Sequence, residues 1–205
     1  MTIKNIFKTL GLLLLISIGY YVWYVHFNYR FETIDANKVY KSAAIPPEKL
    51  ASYIKEHHIK TVIDLRDGGD AAYSELNPVN QKEIDAEAEA IAKIQGVQHI
   101  NIPSPQVPTK QTLTKFFEVL DNNISYPVLI HCYHGTGRAE IYSALYRIEY
   151  TKTTNEEARK LTRLVTELPP LYRSSFAPNK DKGKFLIEYK PRSLGNDATI
   201  NQLVK

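Results

Sequence analysis

Pro127-Val-Leu-Ile-His131-Cys132-Tyr-His134-Gly135-Thr136-Gly137-Arg138 is the stretch around which the rest of the chain is organised. Val128 to Ile130 is a short apolar run bounded by turn residues, and it reads as a buried strand. It delivers the only cysteine of the 205 residues to a loop that holds two glycines. The loop closes on Arg138, and Ala139 to Tyr150 then reads as a helix. A tetrahedral dianion is served by that order. Successive backbone N–H groups form a concave nest, and a helix N-terminus adds partial positive charge. A guanidinium can grip two oxygens at once. The same field favours the thiolate of Cys132, the form that attacks phosphorus.

The pattern H-C-x-x-G-x-x-R resembles the signature of the cysteine-dependent protein tyrosine and dual-specificity phosphatases. The likeness runs from about Val39 to Val165, through Val39-Tyr-Lys-Ser42 and Val62-Ile-Asp-Leu-Arg66, and small bacterial membrane-anchored or periplasmic members look most similar. The resemblance implies Cys132 as nucleophile, Arg138 as phosphate clamp, and His131 as the residue that orients the loop and supports the thiolate. It makes Cys132, Tyr133, His134, Gly135, Thr136, Gly137 and Arg138 the phosphate-binding loop, with no cofactor and no metal. Two departures stand out. The family's aspartate general acid has no counterpart between Asn101 and Thr109, where position 105 is Pro105. The hydroxyl residue that usually follows the clamp arginine is Ala139. Substitute acids expected on the same edge are Asp67 first, then Asp70 and Glu75, with His134 as a second-rank donor. The competing reading of Asp67 and Asp70 is Gly-Asp turn chemistry.

Three functions fit these residues. The first is a phosphatase for phosphotyrosine in proteins, extending to phosphoserine or phosphothreonine, working through a cysteinyl-phosphate intermediate. The second is a phosphatase for phosphoinositides, inositol phosphates or pyrophosphates. A phosphoanhydride leaves without a proton donor, although the loop offers no lysine, only Tyr133, His134 and Thr136 at its variable positions. The third is a catalytically weak phosphate-binding module, against which the intact Cys132 argues.

The N-terminus carries a targeting pattern. Lys4 and Lys8 precede an apolar run from Leu10 to Val25, and Tyr20, Tyr21, Trp23, Tyr24 and Tyr29 crowd its far end. That length suits the ~20 residues that cross a bilayer, and aromatics suit its interface. The expected arrangement is an uncleaved single-pass anchor in the inner membrane, spanning residues 9–27, with the catalytic domain periplasmic. Ser17-Ile-Gly19 supports the alternative, secretion after signal cleavage. The divisions that follow are an anchor over 1–27, a linker over 28–37, a catalytic domain over 38–170 and a basic extension over 171–205. That extension has seven Lys/Arg against three acidic residues, which suits anionic lipid or an acidic partner, or simply a solvated surface. A net charge of +4 is too modest to suggest nucleic acid. One cysteine excludes an internal disulfide and a multi-cysteine metal site.

The remaining elements alternate. Val39–Ser42 reads as an edge strand, Pro46-Pro47 opens a helix to about His57, and Lys60–Leu65 is a strand. A helix over Asn80–Gln95 carries Ile84, Ala88, Ile91 and Ala92 on one face, with Glu83, Asp85, Glu87 and Glu89 read as its solvated side. Val97–Ile102 is a strand, Thr109 caps a helix to about Asn122, and Thr154-Asn-Glu-Glu157 is a capping box opening a helix to Pro169-Pro170. A further short helix is expected around Lys184–Tyr189. This predicts an α/β fold: a mostly parallel sheet of four to five strands with helices on both faces, preceded by one transmembrane helix. The loops after Leu65, Ile102 and Ile130 then share one edge.

Overall fold

The computed structural model describes residues 2–69, 80–162 and 174–192. Asp70, Glu75 and the expected helix end at Pro169-Pro170 lie outside the described residues.

Five strands form one sheet: β1 (Glu32–Asp35), β2 (Val39–Ser42), β3 (Thr61–Asp64), β4 (Gln98–Asn101) and β5 (Val128–His131). Their spatial order is β1-β2-β5-β3-β4, with only the β1–β2 pair antiparallel. Period-two alternation sorts the side chains. Val39, Ile63, Val128 and Ile130 face one core, while Tyr40, Val62 and Leu129 face the other. The first core is closed by α4 (Lys110–Leu120), α5 (Arg138–Tyr150), α6 (Asn155–Lys160) and α7 (Asp181–Glu188). On the opposite face, Leu50 and Ile54 of α2 (Pro47–Glu56) and Ile91 of α3 (Gln81–Ala92) close the second. Helices therefore cover both faces, and the central strands β2, β3 and β5 are buried along their whole length.

Local chemistry sets the helix starts. Pro47 opens α2, where a missing N–H costs nothing. Thr109 and Thr112 form a reciprocal cap on α4, and Thr154 with Glu157 does the same on α6. His57 and His58 follow the end of α2, and His57 stacks on Phe31 at 4.4 Å between ring centroids. At the N-terminus, α1 (Ile3–His26) has 24 residues, is long and apolar enough to cross a membrane, and buries no side chain within the chain.

Three expectations change here. The stretch 28–37 is not a plain linker, because it contains β1, which adds antiparallel to β2. Val39–Ser42 is consequently not the edge: β1 takes that place and β2 pairs on both sides. Part of the basic extension also belongs to the folded body. Phe176, Leu186 and Tyr189 are buried in the core shared with α5.

An ion cluster fastens β1 and β2 to α5. Lys41 is buried, with its ammonium 2.7 Å from Glu140 and 3.1 Å from Glu32. Burial pushes the Glu140 carboxyl above its ordinary range, and Lys41 opposes that shift. Removing one partner leaves the other charge buried and unpaired, which costs about 3–5 kcal/mol. Lys41→Ala should therefore lower the unfolding free energy by that amount in denaturant titrations. The double variant Lys41→Met/Glu140→Leu should recover most of it. Equal stability of Lys41→Ala and wild type would remove the cluster from the fold's supports.

Candidate active site

β3, β4 and β5 end on the same edge, and the loops beyond them meet. Arg138 shows the convergence. Its Nη1 donates to the carbonyl of Leu65 at 2.9 Å and to that of Ser104 at 3.3 Å, so one side chain ties three loops. Arg138 and Cys132 are both nearly inaccessible, at 3% and 2% exposure.

The loop between them is held by its neighbours. Gly135 has φ +69°, and a Cβ there would lie 2.6 Å from the backbone nitrogen of Ala43, so only glycine fits. Ala44 donates its N–H to the Tyr133 carbonyl at 3.1 Å. Arg30, four residues past α1, donates to the His134 carbonyl at 2.9 Å. Gly137 is the N-cap of α5, and no side chain caps that end. The N-terminus of the helix thus points its partial positive charge at the loop.

A cavity of about 140 Å³ opens over this loop, lined by Gln106, Cys132, His134, Thr136, Gly137, Arg138, Ser175 and Lys182. Five of the expected loop residues, Cys132, His134, Thr136, Gly137 and Arg138, share it. Tyr133 stands outside it in an edge-on contact with His134. Gly135 braces the loop from behind. Burial, reinforced by the positive charges of Arg30 and Arg138, pushes the His134 imidazole below its usual pKa. Asp67 is not among the lining residues, and its Oδ1 accepts the Gly69 N–H at 3.1 Å in a turn. No carboxylate is among the described residues that line the cavity.

Lys182 was not legible as a site residue. It stands on α7, 50 positions after Cys132, and donates to Gln106 Oε1 at 2.7 Å. A Cβ on Gly137 would come within 3.0 Å of its ammonium, so the lysine reaches the mouth of the 132–138 loop. Nothing local in Lys180-Asp-Lys-Gly-Lys184 marks one lysine for that role.

Behind the loop lies a buried polar cluster formed by Asp64, Arg66, Glu87, His99 and His131. Glu87 was expected on a solvated face and is instead 2% exposed. The signal was present: Ile84, Glu87 and Ile91 follow at helical spacing on one stripe, all buried. Arg66 grips both carboxylates, with Nη2 at 2.8 Å from Asp64 Oδ2 and 2.6 Å from Glu87 Oε2. Burial disfavours the charge on Glu87, but His131, His99 and Arg66 outweigh it and hold the carboxyl down at about 2. Asp64 is lowered for the same reasons. His131, the residue before Cys132, points its Nε2 to within 2.9 Å of Glu87 Oε1. The loop is thereby anchored from below.

Among known protein families, residues 29–177 match a model described as "DSP-PTPase phosphatase fused to NAD+ Kinase". No match was found among curated proteins. Several solved structures are similar in fold. The core catalytic domain of the PP-IP phosphatase SIW14 from S. cerevisiae has a TM-score of 0.57 and 16% identity, covering 85% of this chain and 93% of its own. A DUF442 protein from Shewanella putrefaciens CN-32 gives 0.51 and 20%, covering 77% of this chain and 85% of its own. Tk-PTP gives 0.52 and 18%, covering 77% of this chain and 91% of its own.

Proposed function

Since this chain belongs to the DSP-PTPase family, the cysteine-dependent dual-specificity and tyrosine phosphatases, we propose that it hydrolyses phosphotyrosine in proteins through a cysteinyl-phosphate intermediate. One observation carries the reading: Cys132 and Arg138 line one small cavity at the uncapped N-terminus of α5, with no carboxylate among its described lining residues. The Cys132 sulfur forms a bond to phosphorus as the bond from phosphorus to the phenolic oxygen breaks. That oxygen departs with the bonding pair and takes up a proton, and water then displaces the sulfur to give inorganic phosphate. Arg138 and the loop N–H groups hold the equatorial oxygens throughout. Aryl phosphates suit a cavity with no carboxylic acid among its described lining residues, because a phenolate, with a pKa near 10, leaves more readily than an alkoxide. Phosphoserine and phosphothreonine would be the slower substrates. The bilayer-length α1 supports an anchor through residues 9–27, and Lys4 and Lys8 before it support a periplasmic catalytic domain. Assays of the full chain in detergent with phosphotyrosyl and phosphoseryl peptides test the reading. Equal rates on the two would refute the preference.

Lys182 favours a second reading. A cation beside the phosphate loop suits a leaving group that is itself a phosphate, so a phosphoanhydride such as an inositol pyrophosphate is the alternative substrate. Losing a charged hydrogen bond costs about 1.5–3 kcal/mol. Under this alternative, Lys182→Met should cut kcat/KM at least ~10-fold on a phosphoanhydride while leaving p-nitrophenyl phosphate within about twofold. Parallel losses on both substrates would assign Lys182 to the folded state or to the scissile phosphate.

A further inference from the structure

The cluster behind the loop has the arrangement of ligand atoms that a metal ion requires. Four side chains, Asp64, Glu87, His99 and His131, each bring one donor atom to a common point, all within 4.8 Å of one another. His99 Nε2 lies 3.5 Å from Asp64 Oδ2 and 3.5 Å from Glu87 Oε1. His131 Nε2 lies 2.9 Å from Glu87 Oε1 and 3.7 Å from Asp64 Oδ1. Ligands about 2.0–2.1 Å from a tetrahedral zinc ion are about 3.3 Å apart. The four separations quoted run from 2.9 to 3.7 Å and involve both oxygens of Asp64, and with one atom per residue all four lie within 4.8 Å.

Hydrogen bonding does not account for the same atoms. Glu87 Oε1, His99 Nε2 and His131 Nε2 are buried and make no aligned hydrogen bond, although their partners are near. They face one another as ion pairs instead, Glu87 Oε1 lying 2.9 Å from His131 Nε2 and 3.5 Å from His99 Nε2. Here three converge on one point. Arg66 occupies the outer sides of the carboxylates, taking Glu87 Oε2 and both oxygens of Asp64, and Glu87 Oε1 turns toward the imidazoles. That is the position of a second-layer group that orients ligands.

We propose that Asp64, Glu87, His99 and His131 form a two-histidine, two-carboxylate site for a divalent transition ion, zinc being the best fit, beneath the phosphate-binding loop. The expectation of no metal placed Glu87 on a solvated face with Glu83, Asp85 and Glu89, and found no third ligand beside His57 and His58; Asp64, Glu87, His99 and His131 come together only in the fold. An ion here would act on the loop through position. His131 precedes Cys132 in the chain, so fixing its ring fixes the strand end that presents the sulfur. His131 is then a positioning residue with an inorganic partner.

The test uses the full chain in detergent, stripped with a chelator and equilibrated with Zn²⁺, with bound metal measured by elemental analysis after dialysis. One ion per chain is expected in wild type and equally in Cys132→Ser, which removes the only thiol. His99→Ala and Glu87→Gln should bind about 10–100-fold more weakly. Zinc should also raise the melting temperature of wild type, because it binds the folded state alone. Co²⁺ on the Cys132→Ser protein should give the intense visible bands of a tetrahedral site without sulfur, a readout that stands if the other variants fail to fold. Zinc lost in Cys132→Ser would place the ion on the thiol and overturn the proposal. Sub-stoichiometric zinc in wild type, or an octahedral cobalt spectrum, would overturn it too.

Discussion

Cys132→Ser should reduce turnover by ~10⁴-fold or more, the scale seen when a covalent nucleophile is removed from a catalytic unit. The variant should still bind phosphate, since the nest, Arg138 and the end of α5 remain. Quenching wild type during turnover of a radiolabelled aryl phosphate should leave label on the protein, and the serine protein should carry none. Arg138→Lys is the companion. Nη1 is already committed to the carbonyls of Leu65 and Ser104. A lysine cannot satisfy two carbonyls and also present a planar fork to phosphate. A loss of about 10²–10³-fold is expected, the usual result of removing one transition-state donor. Undiminished hydrolysis by Cys132→Ser would end the covalent mechanism.

What the sequence revealed follows from how local each signal is. The strand–loop–helix unit around Cys132 and Arg138 was readable because strand, cysteine, turn glycines, arginine and helix occupy twelve consecutive positions. The alternation of helices and strands was readable for the same reason, as were the caps at Thr109 and Thr154. The position of β1 was not. Glu32–Asp35 is too short and too polar to announce a strand, and its pairing with β2 is a tertiary choice. Lys182 was hidden by distance, since only the packing of α7 against α5 and α6 brings it to Gly137. Glu87 was misread through the habit of placing acids on the wet face of a helix. Its helical spacing from Ile84 and Ile91 contradicted that habit, and the residues that compensate its charge, Arg66, His99 and His131, lie on other elements.

The leaving group should govern the rate far more steeply than in a phosphatase with an aspartate donor. General acid catalysis contributes ~10²–10⁴-fold, so alkyl phosphates should lag aryl phosphates of equal binding by roughly that factor. The cavity offers two candidate donors among its described residues, His134 and Lys182, and neither is a carboxylic acid. Burial first, and then Arg30 and Arg138, depress the His134 pKa, so the free protein tends to hold that ring neutral. A bound phosphate dianion opposes those cations and favours the imidazolium, which can donate. If His134 is the donor, activity on alkyl phosphates should fall as pH rises past its pKa in the complex. His134→Ala should then remove that dependence together with most of the alkyl rate. Asp67 makes the opposite case, because its carboxylate already accepts the Gly69 N–H in a turn and does not line the cavity. Asp67→Asn should leave the rate within about threefold, whereas a catalytic acid at that position would cost ~10²-fold or more. Ala139 bears on the second step. It is fully buried beside the loop, with no hydroxyl to assist departure of the sulfur. Ala139→Ser should speed breakdown of the intermediate and shrink any burst of phenol release. A shallow leaving-group dependence that survives both His134→Ala and Asp67→Asn would show a proton donor outside these positions, and the expectation of a donor-poor site would fail.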